Sequence, residues 1–191
     1  MPNCAIFLDR DGTINEDPGY LGEINKVFLL PGAGQGLSIL KNEYNFKLIV
    51  ISNQSGIARG LLTHNIVKSI NKKINELLFH FNVQIDEFYF CPFHPDFSNE
   101  EECKCRKPSA IMVYKAAKEH NIDLTKSYFI GDMTYDIECG KNAELKTILV
   151  KTGNGKKSLK ALKLQNNLPS FVAQNILDSC KFIKNDFFGA S

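Results

Sequence analysis

The chain has 191 residues, of which 43% are hydrophobic and 23% are charged. These values are typical of a globular domain and exclude collagen-like, disordered and coiled-coil proteins. The formal net charge is only +2, which argues against nucleic-acid binding driven by a strong basic field. No apolar run approaches the roughly 20 residues of a membrane span, and the apolar segment 4–8 is too short for a signal peptide. We therefore expect a soluble, cytoplasmic protein that binds neither membranes nor nucleic acid.

Short apolar runs alternate with longer helical patterns along the chain. Runs rich in β-branched and aromatic residues predict strands at 4–8, 47–51, 87–90, 127–130 and 146–150, and an edge strand at 171–172. These runs are nearly continuous rather than alternating, which is typical of parallel strands buried on both faces.

Helical periods lie between the strands. They predict helices after 31–32, after an N-cap at Thr63, at 109–120, at 135–142 and at 175–183, whereas 151–167 has the composition of a mobile stretch. Alternation of this kind predicts a doubly wound α/β fold, with a mostly parallel, Rossmann-like sheet and helices on both faces. Because we find no linker and no repeat, we expect a single domain over 1–191.

Two carboxylates follow the first strand, in the segment DRDGT at 9–13. Ligands of such sheets bind beyond the carboxyl ends of the strands. There Asp9 could attack as a nucleophile while Asp11 transfers the proton of the leaving group. The alternative is a plain turn that ends a strand, because Asp, Gly and Thr all favour turns.

Polar residues also follow the second strand, before the next helix. Candidates for binding a phosphoryl group in this segment are Ser52, Asn53, Gln54, Ser55 and Arg59. A loop that merely enters a helix would contain the same residue types, so this segment alone does not decide between the two.

Two cations and two acids complete the candidate site. Arg106 and Lys107 directly precede a helix, where they could bind an anion or form a solvated charge pair. After the fourth strand, Asp132 could join Asp9 in binding Mg²⁺, which prefers one or two carboxylates together with phosphate oxygens. Asp136 could hold Lys107 by an ion pair.

Taken together, these motifs resemble the haloacid dehalogenase superfamily of phosphatases, over about residues 7–136. Within that superfamily, the segments NEDPGY at 15–20, SNQSGIARG at 52–60 and CKCRKP at 103–108 are similar to the D-glycero-D-manno-heptose 1,7-bisphosphate 7-phosphatases. Histidinol-phosphate phosphatases are close relatives. Both groups are compact enzymes without a large cap domain.

The resemblance implies a mechanism and a set of binding residues. It implies that Asp9 forms an aspartyl-phosphate, that Asp11 acts as acid and then base, and that Ser52 and Lys107 hold phosphoryl oxygens. It implies that Mg²⁺ is bound by Asp9, by the backbone carbonyl of Asp11 and by Asp132. Residues left for the sugar and its second phosphate are Asp17, Tyr20, Arg59 and Arg106, and the expected substrate pocket also includes Asn53, Gln54, Ser55 and Met133.

The resemblance also implies the reaction, which is hydrolysis of the 7-phosphate of a heptose 1,7-bisphosphate during synthesis of nucleotide-activated heptose for lipopolysaccharide or other surface glycans. The substrate would be a small sugar bisphosphate, and the enzyme is expected to be a monomer. One alternative is histidinol-phosphate hydrolysis, for which Asp17 and Tyr20 would supply an acidic and aromatic subsite. An alternative of another class is a noncatalytic, zinc-stapled interaction domain.

The cysteines divide into two groups. Cys4, Cys139 and Cys180 lie among apolar neighbours and are expected in the core. The cluster around His94 indicates metal binding, and the family loop has the pattern Cys-x-His followed by Cys-x-Cys. Here Phe93 takes the place of that histidine, so the expected zinc ligands in the loop at about 91–105 are Cys91, His94, Cys103 and Cys105. The alternative is that His94 points to solvent and only the three cysteines remain.

Overall fold

The centre of the fold is a sheet of six strands that all run parallel to their neighbours. The computed structural model describes residues 2–189. The strands are Ala5–Leu8 (β1), Lys47–Asn53 (β2), Glu87–Cys91 (β3), Tyr128–Gly131 (β4), Lys146–Val150 (β5) and Phe171–Ala173 (β6). Their order in the sheet is β3-β2-β1-β4-β5-β6. The chain therefore reverses its direction of winding between β1 and β4, which opens a crevice at the carboxyl ends of these two strands.

Seven helices connect and cover the strands in the described part of the chain. They are Ala33–Ser38 (α1), His64–Leu78 (α2), Glu100–Cys103 (α3), Ile111–His120 (α4), Thr134–Asn142 (α5), Gly155–Leu164 (α6) and Ile176–Phe188 (α7). None of the helices within residues 2–189 is long and apolar enough to cross a membrane.

The two faces of the sheet are buried under different helices. On one face, Ile6 and Leu8 of β1 pack with buried residues of α1, α2 and α7. On the other face, Ala5 and Phe7 pack with buried residues of α4 and α5. All four residues of β1 are buried, which explains why the strand is a continuous apolar run instead of an alternating one.

The predicted elements are present, with shifts of a few residues at their ends. Thr63 caps α2 as expected, because its hydroxyl accepts a hydrogen bond from the backbone N–H of Ile66 at 3.2 Å. The prediction of a mobile stretch at 151–167 is wrong, because most of it forms α6. The last helix extends to Phe188, five residues beyond the predicted end at Ile183. Of the cysteines expected in the core, Cys139 and Cys180 are buried and Cys4 is half-buried.

Candidate active site

Asp9 lies directly after β1, where the backbone N–H of Asp9 continues the pairing with β4 by donating to the carbonyl of Ile130 at 2.9 Å. Its carboxylate faces the ammonium group of Lys107, with 2.7 Å between Oδ1 and Nζ. Only 5% of Asp9 is exposed. The candidate nucleophile is therefore a buried carboxylate that already has one cationic partner.

Lys107 is buried, donates to two acceptors and forms an ion pair with Asp136. Its Nζ atom lies 2.7 Å from Oδ1 of Asp9, 2.7 Å from Oδ1 of Asp136 and 2.7 Å from the carbonyl oxygen of Ile51. Burial alone would lower the pKa of Lys107, but the charges of Asp136 and Asp9 outweigh burial and raise this pKa above its ordinary value. The side chain is therefore a permanent cation, and the ion pair with Asp136 that the sequence suggests is present.

The backbone of Lys107 is held by Asn53 at the end of β2. Oδ1 of Asn53 accepts from the Lys107 N–H at 3.0 Å, and Nδ2 of Asn53 donates to the Lys107 carbonyl at 3.2 Å. The sequence places Asn53 only in the substrate pocket. The structure shows that the side-chain amide of Asn53 also binds the backbone of Lys107 and so holds the lysine at the carboxyl end of β2.

Asp11 is surrounded by hydrogen-bond donors. The guanidinium group of Arg10 lies 2.7 Å from Oδ2, and Asn15 and Gln54 each donate to the carboxylate at 2.9 Å. Burial alone would raise the pKa of Asp11, but these contacts, with Arg10 foremost, hold it below its ordinary value.

Arg10 is a site residue that reasoning from the sequence missed. It is only 1% exposed, and besides Asp11 it donates to Asn71 of α2 and to Gln54, each at 3.1 Å. An arginine between two carboxylates in the DRDGT segment was the signal, because a buried cation needs acidic or amide partners nearby.

Asp132 lies after β4 and is fully buried. Thr13 donates to its Oδ1 at 3.2 Å, and the backbone N–H of Asn154 donates to its Oδ2 at 2.7 Å. Burial, together with the charges of Asp9 and Asp136, raises the pKa of Asp132 to about 8.

Three carboxylates converge at this point. Asp9, Asp132 and Asp136 each have an oxygen within 4.8 Å of the others, and one lysine balances only part of their charge. An excess of buried negative charge on hard oxygen ligands is the donor set that Mg²⁺ prefers. These residues therefore fit a bound magnesium ion.

An open cavity lies above this cluster at the carboxyl ends of the strands. The lining includes predicted residues from five segments, namely Asp9, Asp11, Asp17, Tyr20, Asn53, Gln54, Ser55, Arg106 and Met133. Two residues without a predicted role, Tyr135 and Asn154, also line the cavity. Ser52 is buried at the site, where its hydroxyl accepts from Gln54 at 3.4 Å.

Arg59 is not among the side chains around this cavity, and its place in the substrate pocket stays a prediction. Its guanidinium lies 3.0 Å from Nε2 of His94, 4.8 Å from the ring centre of Phe97 and 3.9 Å from the carboxylate of Asp96. These contacts all point towards the neighbouring loop. The side chain of Arg59 therefore connects the loop after β2 with the loop after β3.

The four expected zinc ligands are not brought together as a tetrahedral set. Cys91 and Cys105 form a disulfide, and Cys103 is a free thiol. Nδ1 of His94 accepts from the backbone N–H of Asp96 at 3.2 Å, and its other ring nitrogen faces Arg59. Both ring nitrogens of His94 are engaged, and the structure has a loop closed by a disulfide where a zinc-stapled loop is expected.

Comparisons with known proteins agree with this geometry. The HAD-hydrolase-like family model matches residues 104–179. The D-glycero-D-manno-heptose-1,7-bisphosphate 7-phosphatase of Chlorobaculum tepidum is 41% identical over 81% of this chain and 82% of its own length. The D-glycero-beta-D-manno-heptose-1,7-bisphosphate 7-phosphatase of Escherichia coli K12 is 40% identical, over 78% of this chain and 80% of its own.

A solved structure shows the same architecture. The crystal structure of D,D-heptose 1,7-bisphosphate phosphatase from B. bronchiseptica, complexed with magnesium and phosphate, superposes with a TM-score of 0.84 at 28% sequence identity. The match covers 96% of this chain and 99% of that one. With relatives this similar over most of their length, the chain belongs to the heptose-1,7-bisphosphate 7-phosphatase family of HAD-like hydrolases.

Proposed function

We propose that this enzyme removes the 7-phosphate of D-glycero-D-manno-heptose 1,7-bisphosphate, a step in making nucleotide-activated heptose for lipopolysaccharide or other surface glycans. One observation carries the proposal. The cavity that holds Asp9 and Asp11 also contains Arg106, a cation beyond the one that Lys107 supplies to the reacting phosphoryl group. A bisphosphate needs such a second cationic subsite.

The first half of the reaction forms a bond between Asp9 and phosphorus. Because Lys107 occupies Oδ1 of Asp9, we assign the attack to Oδ2. The bond between phosphorus and the 7-oxygen of the sugar breaks, and Asp11 transfers its proton to this oxygen. Asp11 must be protonated at this step, although Arg10 favours its ionised form in the substrate-free site.

The second half releases inorganic phosphate. A water molecule attacks the phosphorus of the aspartyl-phosphate, Asp11 takes the proton of that water, and the carboxylate of Asp9 is regenerated. Ser52 and Lys107 hold phosphoryl oxygens in both halves, and their contribution is positioning and charge stabilisation.

Magnesium would be held by Asp9, Asp132 and the backbone carbonyl of Asp11. When bound, it supplies positive charge that neutralises the phosphoryl oxygens. Asp136 does not need to be a ligand, because its carboxylate is paired with Lys107 at 2.7 Å.

Histidinol phosphate is the second candidate substrate. Asp17 and Tyr20 both line the cavity, and an acidic and aromatic pair could receive an imidazole and an ammonium group. Arg106 favours the bisphosphate, because a second cation has no partner on histidinol phosphate.

Zinc binding by the loop stays a prediction from the sequence. We propose it for a chain whose cysteines are reduced, with Cys91, Cys103 and Cys105 as thiolate ligands and His94 as the fourth ligand. The support is the presence of three soft sulfur donors close together and the reducing conditions of the cytoplasm, where we expect this enzyme to act as a monomer.

The decisive experiment compares phosphate release from heptose 1,7-bisphosphate, histidinol phosphate and fructose 1,6-bisphosphate in the presence of Mg²⁺. We expect the highest kcat/KM for the heptose bisphosphate. The Asp9→Asn variant, which keeps the shape of the side chain, is the control for contaminating phosphatases. A higher kcat/KM for histidinol phosphate would overturn the proposal.

A further inference from the structure

The segment Thr152–Asn154 between β5 and α6 wraps around the carboxylate of Asp132. The backbone N–H of Asn154 donates to Oδ2 of Asp132 at 2.7 Å. The hydroxyl of Thr152 donates to the carbonyl of Gly12 at 2.7 Å. One segment thus contacts both Asp132 and the turn that follows the candidate nucleophile.

The packing of this segment leaves no room for a side chain. Gly153 has a φ of +48°, and a Cβ atom there would lie 2.4 Å from Oδ2 of Asp132 and 2.7 Å from Cα of Gly12. A Cβ atom on Gly12 would in turn lie 2.5 Å from the same Oδ2. The carboxylate is therefore held between two glycine backbones.

The geometry points to Thr152–Asn154 as a positioning element of the metal site: the Asn154 N–H orients the carboxylate of Asp132, and Thr152 fixes the turn at Gly12 against it. This inference rests on the proposed function, in which Asp132 binds Mg²⁺. The donor is a backbone N–H group. The segment also lies outside residues 7–136, over which the chain resembles the superfamily.

The affinity for Mg²⁺ depends on the orientation of the Asp132 carboxylate. Mg²⁺ demands near-ideal octahedral geometry, and partners that orient a ligand typically change metal affinity by about 10- to 100-fold when removed. Oδ1 of Asp132 is held by Thr13 and Oδ2 by Asn154. Losing the second contact lets the carboxylate rotate about the first.

The test compares Asn154→Pro with Asn154→Ala. Proline removes the N–H donor, and the φ of Asn154, −87°, is near the range that proline allows; alanine keeps the donor and removes only the side chain. The readout is the dissociation constant for Mg²⁺, measured by calorimetry on the substrate-free enzyme. We expect Asn154→Pro to weaken binding about tenfold and Asn154→Ala to change it less than twofold.

A second set of variants decides the matter if Asn154→Pro fails to fold. Thr152→Val should weaken Mg²⁺ binding several-fold, and Thr152→Ser should restore it. Thr125→Val is the matched control, because the Thr125 hydroxyl contacts only its local partner Asp123, at 2.6 Å, before β4.

The outcomes separate this inference from the proposed function. If the wild type binds Mg²⁺ and hydrolyses the bisphosphate while Asn154→Pro and Thr152→Val bind Mg²⁺ within twofold of it, the inference is wrong and the function stands. A wild type that binds no Mg²⁺ and releases no phosphate overturns both.

Discussion

Arg59 donates towards His94 across the gap between two loops, with 3.0 Å between a guanidinium nitrogen and Nε2 of the imidazole. The ring of Phe97 covers the same guanidinium. Arg59 therefore belongs to the support of the loop that leads to Arg106, while Arg106 itself faces the cavity. The sequence predicts the same role for both arginines, namely binding of the sugar and its second phosphate. In the structure their side chains have different surroundings.

Replacing Arg106 and Arg59 by alanine should separate these roles. Arg106→Ala should lower kcat/KM for the bisphosphate about tenfold more than for an aryl phosphate, because only the bisphosphate has a distal phosphate. Arg59→Ala should affect both substrates equally and lower the free energy of unfolding by about 1 kcal/mol. Equal losses for the two substrates in Arg106→Ala would exclude a distal-phosphate role.

The proton transfers assigned to Asp11 predict a split between catalysis and binding. Asp11→Asn keeps the shape of the side chain but cannot exchange a proton, so kcat should fall by about 10²- to 10⁴-fold. The dissociation constant of the substrate, measured on the inactive protein, should change little. A variant that binds poorly but turns over normally would contradict the assignment.

The ion pair between Lys107 and Asp136 predicts a large effect on stability. Neither side chain is exposed, so Asp136→Ala leaves a buried ammonium with one carboxylate fewer. We expect a loss of about 3–5 kcal/mol, as is usual when one partner of a buried pair is removed. Urea unfolding measures it, and Lys115→Ala, at an exposed pair on α4, is the control that should change stability by less than about 1 kcal/mol.

The state of the loop cysteines can be measured directly. Protein purified under reducing conditions without chelator should contain about one zinc ion per chain if three thiolates bind it, and Cys91→Ser should lose that zinc. Air-oxidised protein should instead show the Cys91–Cys105 disulfide by peptide mass analysis. Reduced protein that is free of zinc and fully folded would refute the zinc prediction.

The ion pair between Asp186 of α7 and Lys146 of β5 predicts that the stability of the protein depends on pH. Burial raises the pKa of Asp186, but hydrogen bonds from Lys146 and Tyr128 outweigh burial and hold the pKa below its ordinary value. A carboxyl group with a lowered pKa stabilises the fold above about pH 4, and this contribution is lost as the pH falls through the native-state value.

The Asp186→Asn variant tests this sign. It should be about 1 kcal/mol less stable than the wild type at pH 7, and the difference should shrink towards zero near pH 2. A difference that stays constant across this range would show that packing, rather than charge, is responsible.

Local patterns in the sequence were sufficient for the sheet and for the acids of the site. Runs such as 148–150 are apolar because β5 is buried on both faces there, and the position of Asp9 and Asp132 at strand ends follows directly from the strand boundaries. A strand end has a clear signal in a single sequence, since an apolar run simply stops.

The contacts that the sequence did not reveal are those between distant segments. Arg59 and His94 lie 35 residues apart, and whether a cation faces a cavity or a loop depends on how two loops approach each other. The glycine and lysine content of 151–167, which includes Thr152–Asn154, predicts a mobile stretch. Gly153 instead permits a close backbone approach to Gly12, which lies 140 residues from Thr152 in the sequence.

The contacts between the Asn53 side chain and the Lys107 backbone affect which parts of the sequence can change without moving the lysine. Because one amide side chain on β2 pairs with both the N–H and the carbonyl of Lys107, the lysine takes its position from the sheet and not from the loop before it. That loop consists of the residues between Cys91 and Arg106. We expect that this stretch can be shortened, lengthened or grafted from a relative with a different pocket, while the catalytic ammonium group keeps its place.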